Sequence, residues 1–147
     1  MSQVGQSAPD IDLPDGNGER WQLSQMRGKP VVLLFYPGDE TPVCTKQLCS
    51  VRDNWELYQK AGAEVVGINS DSVDKHRRFA EHHSLPLRLL SDADGKVTRT
   101  YEMNSFIGTK RGVVVIDKNG VIRYRRTVVP IFRPTDDEIL KAIAQAQ

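Results

Sequence analysis

Val31-Val32-Leu33-Leu34-Phe35-Tyr36-Pro37-Gly38-Asp39-Glu40-Thr41-Pro42-Val43-Cys44-Thr45-Lys46-Gln47-Leu48-Cys49-Ser50-Val51-Arg52-Asp53 decides how the rest of the chain is read. Its first five residues form a short, β-branched apolar run bounded by Pro30 and Pro37, the pattern of a buried strand. A loop then leads into a helix. Thr41 suits the N-cap, and Pro42 suits the first helical position, where its missing N–H costs nothing. Cys44 falls at the third helical position, among backbone N–H groups without an intrahelical partner, where partial positive charge favours a thiolate over a thiol.

Cys49 lies five residues along the same helix. On ideal geometry that is about 7.5 Å of rise and a Cα separation of roughly 8–9 Å, beyond the ~7 Å reach of a disulfide. A bond between the two would require the first turns of the helix to unwind. The alternative for Cys44 is structural: it shares a helical face with Leu48, Val51, Trp55 and Tyr58, and free cysteines often serve as small core residues. Cys49 lies off that stripe, beside Thr45, Arg52 and Glu56, and is expected to be more exposed.

Outward from this stretch, strands and helices alternate. Asp10–Leu13 and Glu19–Leu23 alternate apolar with polar residues around Asp15-Gly16-Asn17-Gly18, an N-terminal hairpin. Ser24 is read as the cap of a short helical turn ended by Gly28-Lys29-Pro30, and residues 1–9 as a surface segment. The helix carrying the cysteines is expected to run to Ala61-Gly62, followed by a strand at Glu64–Asn69 and a right-handed crossover. Ser72 caps a polar helix over residues 73–83, whose His76, His82 and His83 are read as a solvated face. A short strand around Leu87–Leu90 follows, then Asp92-Ala93-Asp94-Gly95 as a turn and helix cap. Tyr101 to Thr109 reads as loop. Lys118-Asn119-Gly120 between two strand-like runs predicts a hairpin. Thr135-Asp136-Asp137-Glu138 is a capping box opening a last helix with Ile139, Leu140 and Ile143 on its apolar face. The whole is an α/β arrangement, one domain over residues 1–147, with a mixed sheet covered on both faces.

Composition limits the functions available. Twenty basic against nineteen acidic residues leave a formal charge of +1, no electrostatic case for a nucleic-acid or membrane partner. The longest apolar run is far too short to span a bilayer, and no signal peptide is expected. Two cysteines suit a reducing, cytoplasmic setting in which a thiol pair is more often catalytic, redox-sensing or metal-binding than structural. Zinc is not expected, because the histidines offer neither an i, i+4 pair nor a companion cysteine motif.

Pro37-x-x-x-Thr41-x-x-Cys44, placed after a strand, resembles the active-site signature of peroxiredoxins. Cys44-x-x-x-x-Cys49 followed by Arg52-Asp53 is similar to the bacterioferritin-comigratory-protein, or Q-type, branch of the AhpC/TSA superfamily, and the likeness extends from Gly5-x-x-Ala8-Pro9 to the final helix. The resemblance implies a thioredoxin-like fold with an N-terminal hairpin extension, and a thiol-dependent peroxidase acting on hydrogen peroxide and organic hydroperoxides. Cys44 would be the peroxidatic cysteine and Cys49 the resolving one, joined in an intramolecular disulfide. Thr41 would offer its hydroxyl to the peroxide, and Pro37 would screen the sulfur. The sequence alone does not choose among the arginines. The family's position just before a strand ending in a hydrophobic-Asp pair falls on Arg111, with Lys110 next to it, although Gly112 stands where a small hydroxyl residue is usual. Gln47 and Val51 also depart from the common Glu and Phe. The resemblance further implies no cofactor, a monomer, and recycling by thioredoxin or a similar dithiol. Arg123, Arg125 and Arg126 are read as a solvated strand face. The rival classes are a thioredoxin-type thiol–disulfide oxidoreductase and a non-catalytic redox-sensing module. The Cys-x-x-x-x-Cys spacing counts against the first, and the joint presence of Pro37, Thr41 and Cys44 against the second.

Overall fold

The structure is a computed structural model and describes residues 3–106, 108–128 and 133–147. Its centre is a five-stranded sheet made of β3 (Val31–Phe35), β4 (Glu64–Asn69), β5 (Arg88–Ser91), β8 (Arg111–Ile116) and β9 (Ile122–Val128), in the spatial order β5-β4-β3-β8-β9. The first three run parallel; β8 is antiparallel to β3 and β9 antiparallel to β8. This is the mixed sheet that the element order implies. β3 is the middle strand and is buried along its whole length. Both of its neighbours hydrogen-bond to it, so its C-terminal end at Phe35 is fixed from two sides.

Alternation along the strands splits the core into two layers. Val32, Leu34, Val65, Leu89, Val113 and Val115 face α1 (Pro42–Asp53), α2 (Trp55–Lys60), α3 (Val73–His83) and α5 (Asp136–Gln145), through Leu48, Tyr58, Phe79 and Ile139 among others. Val31, Leu33, Phe35, Val66, Ile68 and Val114 face the other way. They pack against Ile11, Trp21 and Leu23 from the N-terminal hairpin, β1 (Asp12–Pro14) and β2 (Arg20–Gln22), and against Tyr101 and Met103 beyond α4 (Lys96–Thr100).

Several expectations change in detail. The helix carrying the cysteines does not run unbroken to Ala61: it stops at Asp53, and Asn54, at φ −108° and ψ 17°, separates α1 from α2. The Asn54 side chain donates back to the Ser50 carbonyl, a local bond that competes with helix continuation. Leu23–Met26 is a 3-10 turn that Ser24 does not cap; its N–H donates instead to Asp10. Residues 101–109 are not all loop, since β6 (Asn104–Ser105) pairs with β7 (Gly108–Thr109); Ile107 between them lies outside the described residues, as do Met1 and Ser2 of the N-terminal segment. Thr135 does accept from the Glu138 N–H, but Glu138 does not complete a reciprocal box, because its carboxylate is drawn to Tyr124 and Arg126 on β9.

The basic face of β9 is tied down. Arg123 pairs with Asp117 at 2.7 Å, Arg125 donates to the Tyr101 carbonyl at 2.8 Å, and Arg126 pairs with Glu138. Gly112 has a steric reason. A Cβ there would stand 2.7 Å from the Met103 sulfur and 3.0 Å from the Arg126 carbonyl oxygen. A hydroxyl residue at this position would collide with strand β9 and a buried methionine.

Candidate active site

The path from β3 to α1 is short and tightly bonded. Tyr36 continues the strand and is fully buried, Gly38 and Asp39 are buried, and Pro37, Glu40 and Thr41 are exposed. Thr41 has extended backbone, Pro42 opens the helix, and Cys44 sits at the third helical position as its sequence context predicts. The Thr41 hydroxyl does not cap the helix; it donates to the Gly38 carbonyl at 3.0 Å, which closes the loop.

Cys44 is fully buried on the face shared with Leu48 and Val51. It is not sealed in hydrocarbon. Arg111, buried at the start of β8, brings Nη2 to 2.8 Å from the Cys44 sulfur and Nη1 to 2.6 Å from Gln47 Oε1. One guanidinium thus grips the sulfur and the amide one turn further on, a forked geometry that lysine cannot reproduce. The antiparallel register of β3 and β8 produces this contact: Gly112 lies opposite Phe35, so Arg111 lies at the level where the chain leaves β3 for the loop. The guanidinium and the open N–H groups of the first helical turn together place positive charge on Cys44. Lys110 is exposed. Gln47 Nε2 is buried without a hydrogen-bond partner among the described residues. Cys49 is half-buried, and both thiols are free. With α1 regular across both, they cannot bond without the helix opening.

Underneath the loop lies a polar network that the sequence reading missed. Asp39 accepts from the Tyr36 hydroxyl at 2.6 Å and bonds His76 Nδ1 at 2.6 Å; His76 Nε2 lies 3.1 Å from the Leu90 carbonyl. The Asp39 N–H donates to Asp71, which also accepts from Asn69. His76 is fully buried, so it is no part of a solvated face. Both of its ring nitrogens face protein oxygens, so the ring is fixed at either end. Burial, and then the nearby Asp39 carboxylate, push the Tyr36 hydroxyl well above its ordinary range, so it remains a donor. His82 and His83 also have a partner, since each bonds one oxygen of Glu40 at 2.9 Å. A signal for His76 existed: it stands three residues before Phe79 and seven before His83, on the inward stripe of α3. The partners Asp39 and Glu40, some forty residues away, leave no trace in local sequence.

A strand that delivers a cysteine to the third position of a helix, with an arginine from an antiparallel neighbour on its sulfur, defines a thioredoxin-like protein built around one buried thiol held by a guanidinium. The comparisons agree. A model of the AhpC/TSA family matches residues 4–125. Chloroplastic peroxiredoxin Q of Triticum aestivum is 48% identical over 123 residues, 82% of this chain and 57% of that protein. A putative peroxiredoxin bcp of Coxiella burnetii is 42% identical over 128 residues, 82% of this chain and 85% of its own. The crystal structure of peroxidoxin BcpB from Mycobacterium tuberculosis superposes with a TM-score of 0.87 at 33% identity, covering 99% of this chain and 97% of that one. The chain belongs to the AhpC/TSA family, in its peroxiredoxin Q and Bcp branch.

It spans 57% and 66% of the length of the wheat and Sedum lineare relatives. Those relatives, and others from rice, poplar, Gentiana triflora and Suaeda salsa, are chloroplastic, which overturns the cytoplasmic placement inferred from the two free thiols. The error has a physical source: free thiols report a reducing environment, and an organelle can supply one as well as the cytoplasm. Among the described residues, no helix is long and apolar enough to cross a membrane.

Proposed function

We propose that this chain is a thiol-dependent peroxidase for hydrogen peroxide and organic hydroperoxides. The observation that carries it is the 2.8 Å contact between Arg111 and Cys44 at the start of α1. The Cys44 thiolate forms a bond to the terminal peroxide oxygen while the O–O bond breaks. The departing alkoxide or hydroxide takes up a proton, and Cys44 becomes a sulfenic acid. Arg111 holds the thiolate, the Thr41 hydroxyl orients the peroxide, and Pro37 screens the loop end. Cys49 then attacks the Cys44 sulfur after α1 opens, releasing water and giving a disulfide. Thioredoxin or a similar dithiol returns both thiols. Residues 1–147 act as one domain and as a monomer, with no cofactor.

The test mixes reduced protein with one equivalent of hydrogen peroxide and follows peroxide loss and free thiols. Wild type consumes the equivalent and loses both thiols. Cys49→Ser consumes it and retains a trappable sulfenate, and Cys44→Ser does not consume it. Undiminished consumption by Cys44→Ser would refute the assignment. Turnover with thioredoxin and its reductase, set against glutathione with glutaredoxin, identifies the dithiol, and light scattering reads the oligomeric state.

A further inference from the structure

Glu40, His82 and His83 are brought together only by the fold. Glu40 sits in the loop just before Thr41, at φ 65°; the two histidines end α3, where Ser84 turns the chain at φ 52°. One oxygen of Glu40 and one ring nitrogen of each histidine lie within 4.8 Å of one another. Consecutive helical residues normally point about 100° apart. Here they converge on the two oxygens of one carboxylate, His82 through Nδ1 and His83 through Nε2, each at 2.9 Å. The His83 ring is held edge-on to buried Phe79 with centroids 5.2 Å apart, and Arg52 of α1 donates to the His83 carbonyl.

We propose that Glu40, His82 and His83 form a binding site for a borderline divalent transition metal such as Zn2+, which clasps the active-site loop to the end of α3. Two imidazoles and a carboxylate are a zinc donor set, with Zn–N and Zn–O distances of about 2.0–2.2 Å and a fourth position left for water. Tetrahedral ligands at those distances stand about 3.3 Å apart, so small side-chain rotations convert the present triangle into a ligating one. A calcium or magnesium ion would ask for more oxygens than are present here. The expectation that the histidines lacked a zinc arrangement rested on spacing within the helix; the third donor comes from 42 residues upstream.

The clasp acts on the segment whose opening the thiol chemistry needs. Bound metal would tie Glu40 to α3 and, through Thr41 and Pro42, hold the first turn of α1 closed around Cys44. That consequence rests on the peroxidase reading; the site itself does not.

The experiment uses the full chain carrying Cys44→Ser and Cys49→Ser, which removes the competing soft ligands. Zn2+ is titrated by calorimetry, with histidine ring-proton resonances followed in parallel. One Zn2+ per chain is expected, with the His82 and His83 signals shifted and that of buried His76 unmoved. Loss of a mere supporting partner costs a metal site ~10–100-fold, so His82→Ala, His83→Ala and Glu40→Gln should each weaken binding at least that much. Binding that does not saturate at one per chain, or that survives these substitutions, overturns the site. Amide hydrogen exchange over residues 38–46 should slow when Zn2+ is bound; exchange unchanged at saturation overturns the clasp. Both readouts are independent of peroxide, so their failure leaves the peroxidase assignment standing, and its failure leaves them interpretable.

Discussion

Arg111 and Cys44 are 67 residues apart in the chain and 2.8 Å apart in space. The contact is fully buried at both ends, so the charge of the guanidinium acts on the sulfur with little solvent screening. Hydrogen bonds to charged groups contribute about 1.5–3 kcal/mol. Arg111→Met should therefore slow the reaction of Cys44 with peroxide by roughly 10- to 100-fold, and Arg111→Lys by less. Stopped-flow measurement of the second-order rate on Cys49→Ser protein isolates this step. A rate unchanged in Arg111→Met would remove Arg111 from the mechanism.

Asp136, at the first turn of α5, accepts from Ser50, from Asn54 Nδ2 at 3.2 Å and from the Tyr58 hydroxyl at 2.6 Å. It pins the end of α1 and the start of α2. Each bond contributes about 1 kcal/mol, so Asp136→Ala should favour opening of α1 and accelerate the Cys44–Cys49 bond about fivefold or more once the sulfenate has formed. Quenched-flow thiol counting after a peroxide pulse reads the rate. A slower bond would show that the latch assists resolution.

Removing His76 takes away one of the buried hydrogen-bond partners of Asp39 and leaves that oxygen unsatisfied. Leaving a buried polar group without its partner costs about 1–3 kcal/mol. His76→Ala should lose roughly that amount in urea unfolding at neutral pH, and the exposed control Arg78→Ala should lose almost nothing. A loss below about 0.5 kcal/mol would mean that the network does not support the loop.

Gly112→Ser places atoms where Met103 and the Arg126 carbonyl already stand. Overpacking of this kind costs about 1–3 kcal/mol. Met103→Ala relieves the side-chain clash but opens a cavity of its own, so the double variant should lose less than the sum of the two single losses. Full stability in Gly112→Ser would show that β9 can move away.

Asp117 provides the pH test. Burial raises its carboxyl, but the Val121 N–H, the Arg123 guanidinium and the Asn119 N–H outweigh burial and hold it below the usual carboxylate range. A group depressed in the folded state adds stability that is complete above its unfolded value, about 3.9, and is lost as pH falls through the folded one. Asp117→Asn should be less stable than wild type at neutral pH, and the gap should close below about pH 4. A gap that widens on acidification reverses the sign and refutes the argument.

How much of this was legible in the sequence depended on how far apart the partners lie. Val31–Phe35, Thr41-Pro42 and the Asn119-Gly120 turn carry their information within a few residues, and each appears where expected. The place of Cys44 at the third helical position followed from Thr41 and Pro42, three and two residues before it. Arg111 needed a family pattern, because nothing near it distinguishes it from other arginines. Asp39 with His76, and Glu40 with His82 and His83, are pairings across the crossover between β3 and α3. Their polar residues read as solvent-facing until the fold supplies partners. Asn54 ends a helix whose apolar face continues past it, so periodicity alone ran the two helices together.

That interruption at Asn54 has a mechanical meaning. Both cysteines lie in a cassette of twelve residues, begun by a proline and followed by an asparagine whose side chain bonds back to the Ser50 carbonyl. Melting this cassette need not propagate into Trp55–Lys60, whose Tyr58 stays anchored in the core. The molecule can thus spend one local transition on bringing two sulfurs together while the sheet behind them keeps its shape.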